Sequence, residues 1–117
     1  MSDRAVGSFA QLAPDEPYPG VVRRAFDSEA ATVTRYEFEP GASFPLHRHR
    51  QEQITLIEAG SVRMSIAGRE EELEAGAWSV VAGGVEHGIV AGPDGARIVA
   101  VVVPRRESAD AYEVTAS

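Results

Sequence analysis

The stretch that decides the fold is residues 41–60, GASFPLHRHRQEQITLIEAG. His47 and His49 are two positions apart, and Gln53 follows four positions later. Side chains at these spacings lie on one face of an extended strand. Imidazole nitrogens bind divalent transition metals, and an amide oxygen adds a harder, weaker ligand. The third histidine of the chain, His87, is in a distant segment, and we predict that it completes one metal site with these residues.

On both sides of this stretch, short β-rich runs are separated by glycine and proline turns. The predicted strands are 21–26, 32–39, 52–58, 61–67, 78–82, 86–91 and 97–103, with an edge strand or a solvated turn at 70–74. We expect a hairpin at Ala59-Gly60 and the strongest turn of the chain at residues 92–95, GPDG. Strands at intervals of about 8 to 12 residues, without a helical period, predict an all-β sandwich or barrel.

The composition predicts one domain flanked by two irregular ends. Residues 1–19 contain three prolines among acidic and small residues, which predicts an N-terminal arm. Residues 20–106 hold the predicted barrel. Residues 107–117 form a polar C-terminal tail, with a short helix as an alternative.

Several classes of function are disfavoured by composition. The 117 residues include no cysteine, and all eleven cationic side chains are arginines. Thiolate metal sites, disulfides and Schiff-base lysines are therefore excluded. The net charge of −7 disfavours a nucleic-acid surface. Because we find neither a signal-peptide pattern nor an apolar run of about 20 residues, we expect a soluble cytoplasmic protein with no membrane partner.

Two motifs resemble those of the cupin superfamily of small β-barrels. In the first, the family places a glycine, a His-x-His pair, a glutamate and a second glycine, matched here by Gly41, His47, His49, Gln53 in place of glutamate, and Gly60. In the second, Gly76, Gly84 and His87 match, while Ala82 and Ala91 replace a proline and an asparagine. The resemblance implies a cupin jelly-roll β-barrel (a double-stranded β-helix, RmlC-like) with one divalent transition metal, Mn, Fe, Ni or Zn, and a homodimer.

Among cupins, the chain is most similar to small single-domain bacterial members with a His-x-His-x-x-Glu-Gln sequence, here residues 47–53. One such group opens unsaturated uronates from pectin or alginate. The resemblance places Arg106 on the substrate arginine of that group. However, its catalytic aspartate position falls on Ala100 and a neighbouring aromatic position on Val102, so we do not carry the uronate reaction over to this chain.

Strand phase and this resemblance suggest further site residues. Tyr36 is the candidate acid or base beside the metal, with Arg106 as a second catalytic candidate. The candidate substrate-binding residues are Arg24, Phe38, Trp78, Ala100 and Val102. They describe a mostly apolar cavity with an arginine at its rim, which suits a small molecule with a carboxylate or chelating head.

Three functions remain open at this point. The first is a metal-dependent isomerase, lyase or cyclase acting on a small anionic or chelating molecule. Four neutral ligands would leave the full charge of the metal to attract such a substrate. The second is an Fe(II) dioxygenase, and the third is a non-catalytic ligand-binding or sensor cupin.

Overall fold

The computed structural model describes residues 4–115, which form a single curled sheet. Its nine strands are β1 Asp15–Tyr18, β2 Val21–Asp27, β3 Thr32–Phe38, β4 Ser43–Arg48, β5 Glu52–Ile66, β6 Arg69–Glu74, β7 Trp78–Val81, β8 His87–Val103 and β9 Glu113–Val114. The strand order is β1-β2-β3-β8-β4-β9, while β5 pairs with β6, β7 and β8. All the pairings are antiparallel. The prediction of an all-β jelly roll is confirmed.

Two long strands, β5 and β8, connect the two halves of the sheet. They pair from Glu52 with Val103 at one end to Ile66 with His87 at the other. The predicted hairpin at Ala59-Gly60 and the predicted turn at residues 92–95 are therefore wrong, because both segments continue as strand.

Glycines explain why these two segments bend without reversing. Gly60 and Gly95 have φ angles of +72° and +74°, in the region that glycine adopts at little cost. A Cβ on Gly60 would collide with the carbonyl oxygen of Gly95. The backbones of β5 and β8 are therefore in direct contact at this point of their ladder. Register shifts flank Gly60 in β5, and such bulges increase the local bend of a sheet.

The inner face of the sheet follows strict alternation. One row across three strands is Thr34, Ala100 and Thr55, and the next is Tyr36, Ile98 and Ile57. These positions are buried, together with Met64, Val62 and Val81. Burying a side chain of the size of isoleucine or methionine contributes about 1.5–3 kcal/mol. The core is thus a stack of cross-strand rows on whose edge the histidines lie.

The described parts of the N-terminal arm and of the C-terminal tail both pack on the barrel. In the N-terminal arm, Phe9 lies 5.9 Å from the Phe26 ring and its own ring stacks 4.4 Å below the Arg35 guanidinium. The residues of the tail that the structure describes, 107–115, contain no helix; strand β9 pairs with β4 instead. The strand β6 pairs with β5 alone, so the edge-strand interpretation of residues 70–74 is correct.

Candidate metal centre

The fold brings the three histidines together. His47 in β4 is the cross-strand partner of His87 in β8, and His49 follows just after β4. The ring centroid of His87 lies 4.2 Å from that of His47 and 4.8 Å from that of His49. One ring nitrogen from each histidine lies within 4.8 Å of the other two. All three side chains are buried, with exposed fractions of 7%, 8% and 2% in chain order.

Backbone carbonyls orient each imidazole. His47 Nδ1 donates to Pro45 O at 2.8 Å, His49 Nδ1 to Gln51 O at 3.0 Å, and His87 Nδ1 to Val85 O at 2.8 Å. A carbonyl only accepts hydrogen bonds, so the proton of each neutral ring is on Nδ1. The Nε2 lone pair is then free to bind a cation, and the hydrogen bond at Nδ1 holds the ring in place, as is usual for metal-ligating histidines.

Gln53 faces the same point. Its Nε2 donates to Thr55 Oγ1 at 3.0 Å, which turns its Oε1 toward the histidines. Oε1 lies 3.0 Å from His49 Nε2 and 3.3 Å from His87 Nε2. With the ring protons on Nδ1, these are contacts between acceptor atoms, and a cation among them would satisfy all of the lone pairs. Three imidazoles and an amide oxygen are a donor set that suits a divalent transition metal.

The histidines are neutral at physiological pH. Burial, together with the neighbouring His87, lowers the pKa of His47 to about 3. Burial lowers the pKa of His87 to about 4, and it also lowers the pKa of His49. Protonation of an imidazole here would create a positive charge that is shielded from water and has no anionic partner. The ligands therefore need not lose protons before they bind a metal.

A small cavity of about 20 Å³ lies in front of this cluster. The metal-ligand candidates His47, Gln53 and His87 line one side, and Tyr36, Phe38 and Phe44 are among the residues of the apolar wall. This volume holds about one water molecule. As it stands, the cavity can take a metal with a water ligand but no larger organic molecule.

Tyr36 and Arg106 meet at the edge of this cavity. Tyr36 is 6% exposed, and its Oη accepts a hydrogen bond from Arg106 Nη2 at 3.2 Å. The Arg106 backbone N–H donates to Thr32 Oγ1 at 2.9 Å, while Arg106 Nε is buried without a partner. The positive charge of Arg106 also contributes to the lowered pKa of all three histidines. The structure thus places both candidate catalytic residues beside the histidine cluster.

A second cavity of about 150 Å³ adjoins the first through Arg106. Arg23, Thr32 and Thr34 line it, and Arg23 is only 5% exposed. Burial alone would lower the pKa of Arg23, but hydrogen bonds to Asp15 and Asp110 raise this pKa above its ordinary value. Arg23 and Arg106 therefore bring two guanidinium groups to the wall of this second cavity.

Two of the expected wall residues lie elsewhere. Trp78 is 66% exposed, because in β7 the side chains of Ser79 and Val81 are the ones that point to the inner face of the sheet. Arg24 alternates with the inward Arg23, and its Nε donates to Leu12 O in the N-terminal arm at 3.3 Å. The assignment of both residues to the cavity is therefore wrong.

The other candidates lie on the inner face of the sheet. Phe38 lines the metal cavity. Ala100 and Val102 are buried on β8, opposite Thr55 and Gln53 respectively. Ala100 thus occupies an inward position close to the cluster but supplies no polar atom.

Three residues near the site were missing from the sequence-based set: Arg23, Gln51 and Tyr112. In β2, the two alternating sets of side chains are almost equally apolar. The sequence pattern therefore did not show that Arg23 points inward. Gln51 is buried and its carbonyl orients His49, but it precedes β5 in an irregular turn. The Tyr112 ring lies 5.2 Å from the His47 ring, although the two residues are far apart in the chain. Only the fold could reveal these contacts.

Similarity to known proteins agrees with this geometry. Residues 34–103 match the Cupin domain family, Cupin_2. The chain is 37% identical over 81 residues to the dimethylsulfoniopropionate lyase DddW of Ruegeria pomeroyi, an alignment that covers 69% of this chain and 53% of the lyase. The chain thus spans about half the length of this relative.

Solved structures show the same fold. An RmlC-like cupin of Shewanella frigidimarina superposes with a TM-score of 0.79 at 24% identity, covering 92% of this chain and 95% of that one. KdgF of Halomonas sp. superposes with a TM-score of 0.78 at 23% identity, covering 87% and 97%. A jelly-roll barrel with a cluster of three histidines defines the class of protein. The chain belongs to the cupin family, as its two motifs indicated.

Among the residues that the structure describes, no helix is long and apolar enough to cross a membrane.

Proposed function

We propose that this cupin is a metal-dependent enzyme of the lyase or isomerase type that acts on a small carboxylate. The observation that carries the proposal is the convergence of three Nε2 lone pairs and Gln53 Oε1 beside Tyr36 and Arg106. His47, His49, Gln53 and His87 would hold one divalent transition metal. When bound, such a metal supplies Lewis acidity toward a carboxylate or carbonyl oxygen.

Two side chains of the chain would then have separate roles in the reaction. Arg106, with a partnerless Nε, would bind the anionic end of the substrate. Tyr36 Oη, which accepts a hydrogen bond from Arg106, would act as the base that takes the proton from the carbon next to the carboxylate. In a lyase, the electron pair of that C–H bond becomes a C=C bond as the bond to the leaving group breaks. In an isomerase, the proton returns to another atom of the substrate.

The dimethylsulfoniopropionate lyase similarity supports the first of these outcomes. Its substrate is a small carboxylate with a leaving group on the second carbon from the carboxylate, which fits the proton transfer described above. The loss of an acidic side chain at Ala100 argues against the uronate reaction, because Tyr36 is then the one acid or base in the wall of the metal cavity apart from the histidines.

The test has two parts. Elemental analysis of untagged protein should find about one equivalent of a transition metal, and His47→Ala should lower this content well below half an equivalent. Metal-loaded protein should then release the thioether from dimethylsulfoniopropionate, or turn over another small carboxylate with a similar leaving group. Metal content below half an equivalent in the unchanged protein would refute the metal site.

A non-catalytic ligand-binding cupin is the second candidate, and the scarcity of acid–base groups favours it. Among the described residues that line the metal cavity, Tyr36 alone can transfer a proton apart from the histidines. Small carboxylates that raise the melting temperature of the metal-loaded protein without being consumed would identify this function.

We also propose that the chain forms a homodimer through the outer face of its sheet. One row of apolar side chains crosses five strands in register: Val80, Ile54, Val101, Val33 and Phe26. Trp78, Leu56 and Val99 form the next row. A tryptophan alone buries about 150–250 Å², so two such faces packed together can approach the roughly 1,000 Å² that a stable interface needs.

A further inference from the structure

The last residues that the structure describes run alongside strand β4, which carries His47. We call residues 107–115 the C-terminal strap. Its strand β9 pairs with β4, so that Val114 is the cross-strand partner of the candidate ligand His47. The Thr115 backbone N–H donates to Leu46 O at 2.9 Å. These contacts place the strap directly beside the cavity that the histidines line.

Tyr112 is the strap residue closest to the cavity. Its ring lies 5.2 Å from the His47 ring and 5.3 Å from the Phe44 ring, and both of those residues line the cavity. Its hydroxyl lies 2.9 Å from the Tyr18 hydroxyl. Burial and the Tyr18 hydrogen bond raise the pKa of Tyr112 well above its usual range, so it is a neutral phenol. It therefore acts as an outer wall behind His47 and Phe44.

Two arginines beside the cavity hold the strap. Arg23 Nη2 donates to Asp110 Oδ1 at 3.2 Å and Arg23 Nη1 to Ala109 O at 3.5 Å. Arg106 Nη1 donates to Ala109 O at 3.2 Å. An anionic substrate would seek the same N–H donors. The strap thus occupies positions that a carboxylate could take.

The metal cavity, as the structure has it, is too small to enclose an organic substrate. At about 20 Å³ it holds one water, whereas pockets for organic ligands measure about 300–1,000 Å³. The walls from β3, β5 and β8 belong to long ladders. The strap has only a two-residue strand and is held otherwise by a few side-chain contacts, and segments of this kind open first in local unfolding.

We infer that the C-terminal strap opens and closes beside the metal cavity, with Tyr112 as the side chain that covers His47 and Phe44 in the closed position. An anionic substrate displaces Asp110 from Arg23, and the strap closes again behind it. The assignment of an anionic substrate rests on the proposed function. The opening of the strap is a property of the chain itself and can be measured without metal.

The chain offers a direct way to lock the strap. Arg48 and Glu113 are exposed cross-strand partners in the β4–β9 pair, at a spacing that a disulfide can bridge. Because the chain has no cysteine, Arg48→Cys with Glu113→Cys introduces a single disulfide. Arg63→Cys with Glu72→Cys is the matched control, since these residues are exposed cross-strand partners between β5 and β6.

Modification of histidine by diethylpyrocarbonate reports access to the cavity, because all three histidines of the chain are in the cluster. In metal-free protein, we expect oxidation of the strap disulfide to slow carbethoxylation at least about tenfold relative to the reduced form, since the open state is removed. The control pair should show equal rates when oxidised and reduced. Tyr112→Ala should raise the rate in the otherwise unchanged chain.

Equal rates for the locked and the reduced strap would overturn the inference, even if the protein binds a full equivalent of metal. A slowed rate in protein that binds no metal would support the strap and refute the proposed function. The two proposals therefore fail separately. The reduced form of each double variant shows whether the substitutions themselves disturb the fold.

Discussion

Gln53→Glu tests the metal centre most sharply, because its effect on stability should change sign when metal is present. In the metal-free protein, the new carboxylate would lose the N–H donated to Thr55 Oγ1 and would face the Nε2 lone pairs of His49 and His87. A buried polar group left without partners costs about 1–3 kcal/mol. At roughly 4 °C per kcal/mol for a domain of this size, a cost of about 2 kcal/mol should lower the melting temperature by about 8 °C.

With a divalent metal, the same carboxylate would become a charged ligand. Opposite charges in contact attract by several kcal/mol even at an effective dielectric constant of about 20, so we expect the dissociation constant for the metal to fall at least about tenfold. Saturating metal should then restore the melting temperature of the variant to that of the unchanged protein or above it.

Differential scanning calorimetry with and without metal, beside a metal-binding titration, measures both effects. Glu52→Gln is the control, since it exchanges the same two side chains at the adjacent exposed position and should change stability by less than about 0.5 kcal/mol. A variant that is destabilised equally with and without metal would refute the role of Gln53 as a ligand.

Three further predictions concern the contact between Gly60 and Gly95, the outer face of the sheet and the proton transfer by Tyr36. Gly60→Ala should destabilise the protein by about 1–3 kcal/mol more than Gly68→Ala in urea unfolding, because both glycines have positive φ but only Gly60 abuts the Gly95 carbonyl; equal losses would contradict this. Trp78→Glu should convert the proposed homodimer to a monomer in analytical ultracentrifugation, and an unchanged mass would exclude this face as the interface. Tyr36→Phe should lower turnover by about 10²–10⁴-fold while metal content stays the same; full activity would remove Tyr36 from the mechanism.

The local pattern of the sequence was sufficient for the class of fold and for the metal-ligand candidates. A strand has a period of two, so His47, His49 and Gln53 had to share a face once that segment was extended. By the same period, the adjacent Glu52 points away from the cluster, and it is exposed. The glycine-separated motifs indicated a jelly roll, because the spacing between them is itself part of the family pattern.

The long strands were not predictable from local signals. Gly60 and Gly95 are turn formers in sequence, and whether they reverse the chain or only bend it depends on the partner strand. In this fold β5 and β8 run against each other through both positions. The pairing supplies backbone hydrogen bonds on both sides of each glycine, and these outweigh the local preference for a turn.

The surroundings of the metal site were also decided by tertiary structure. Period-two reasoning identifies two faces of a strand but not which of them is buried, and for β2 and β7 both faces carry apolar residues. Packing against the rest of the sheet turned Arg23 inward and Trp78 outward. The contact of Tyr112 with His47 joins residues that are 65 positions apart in the chain. Such contacts depend on the closure of the sheet, which brings distant strands together regardless of their separation along the chain.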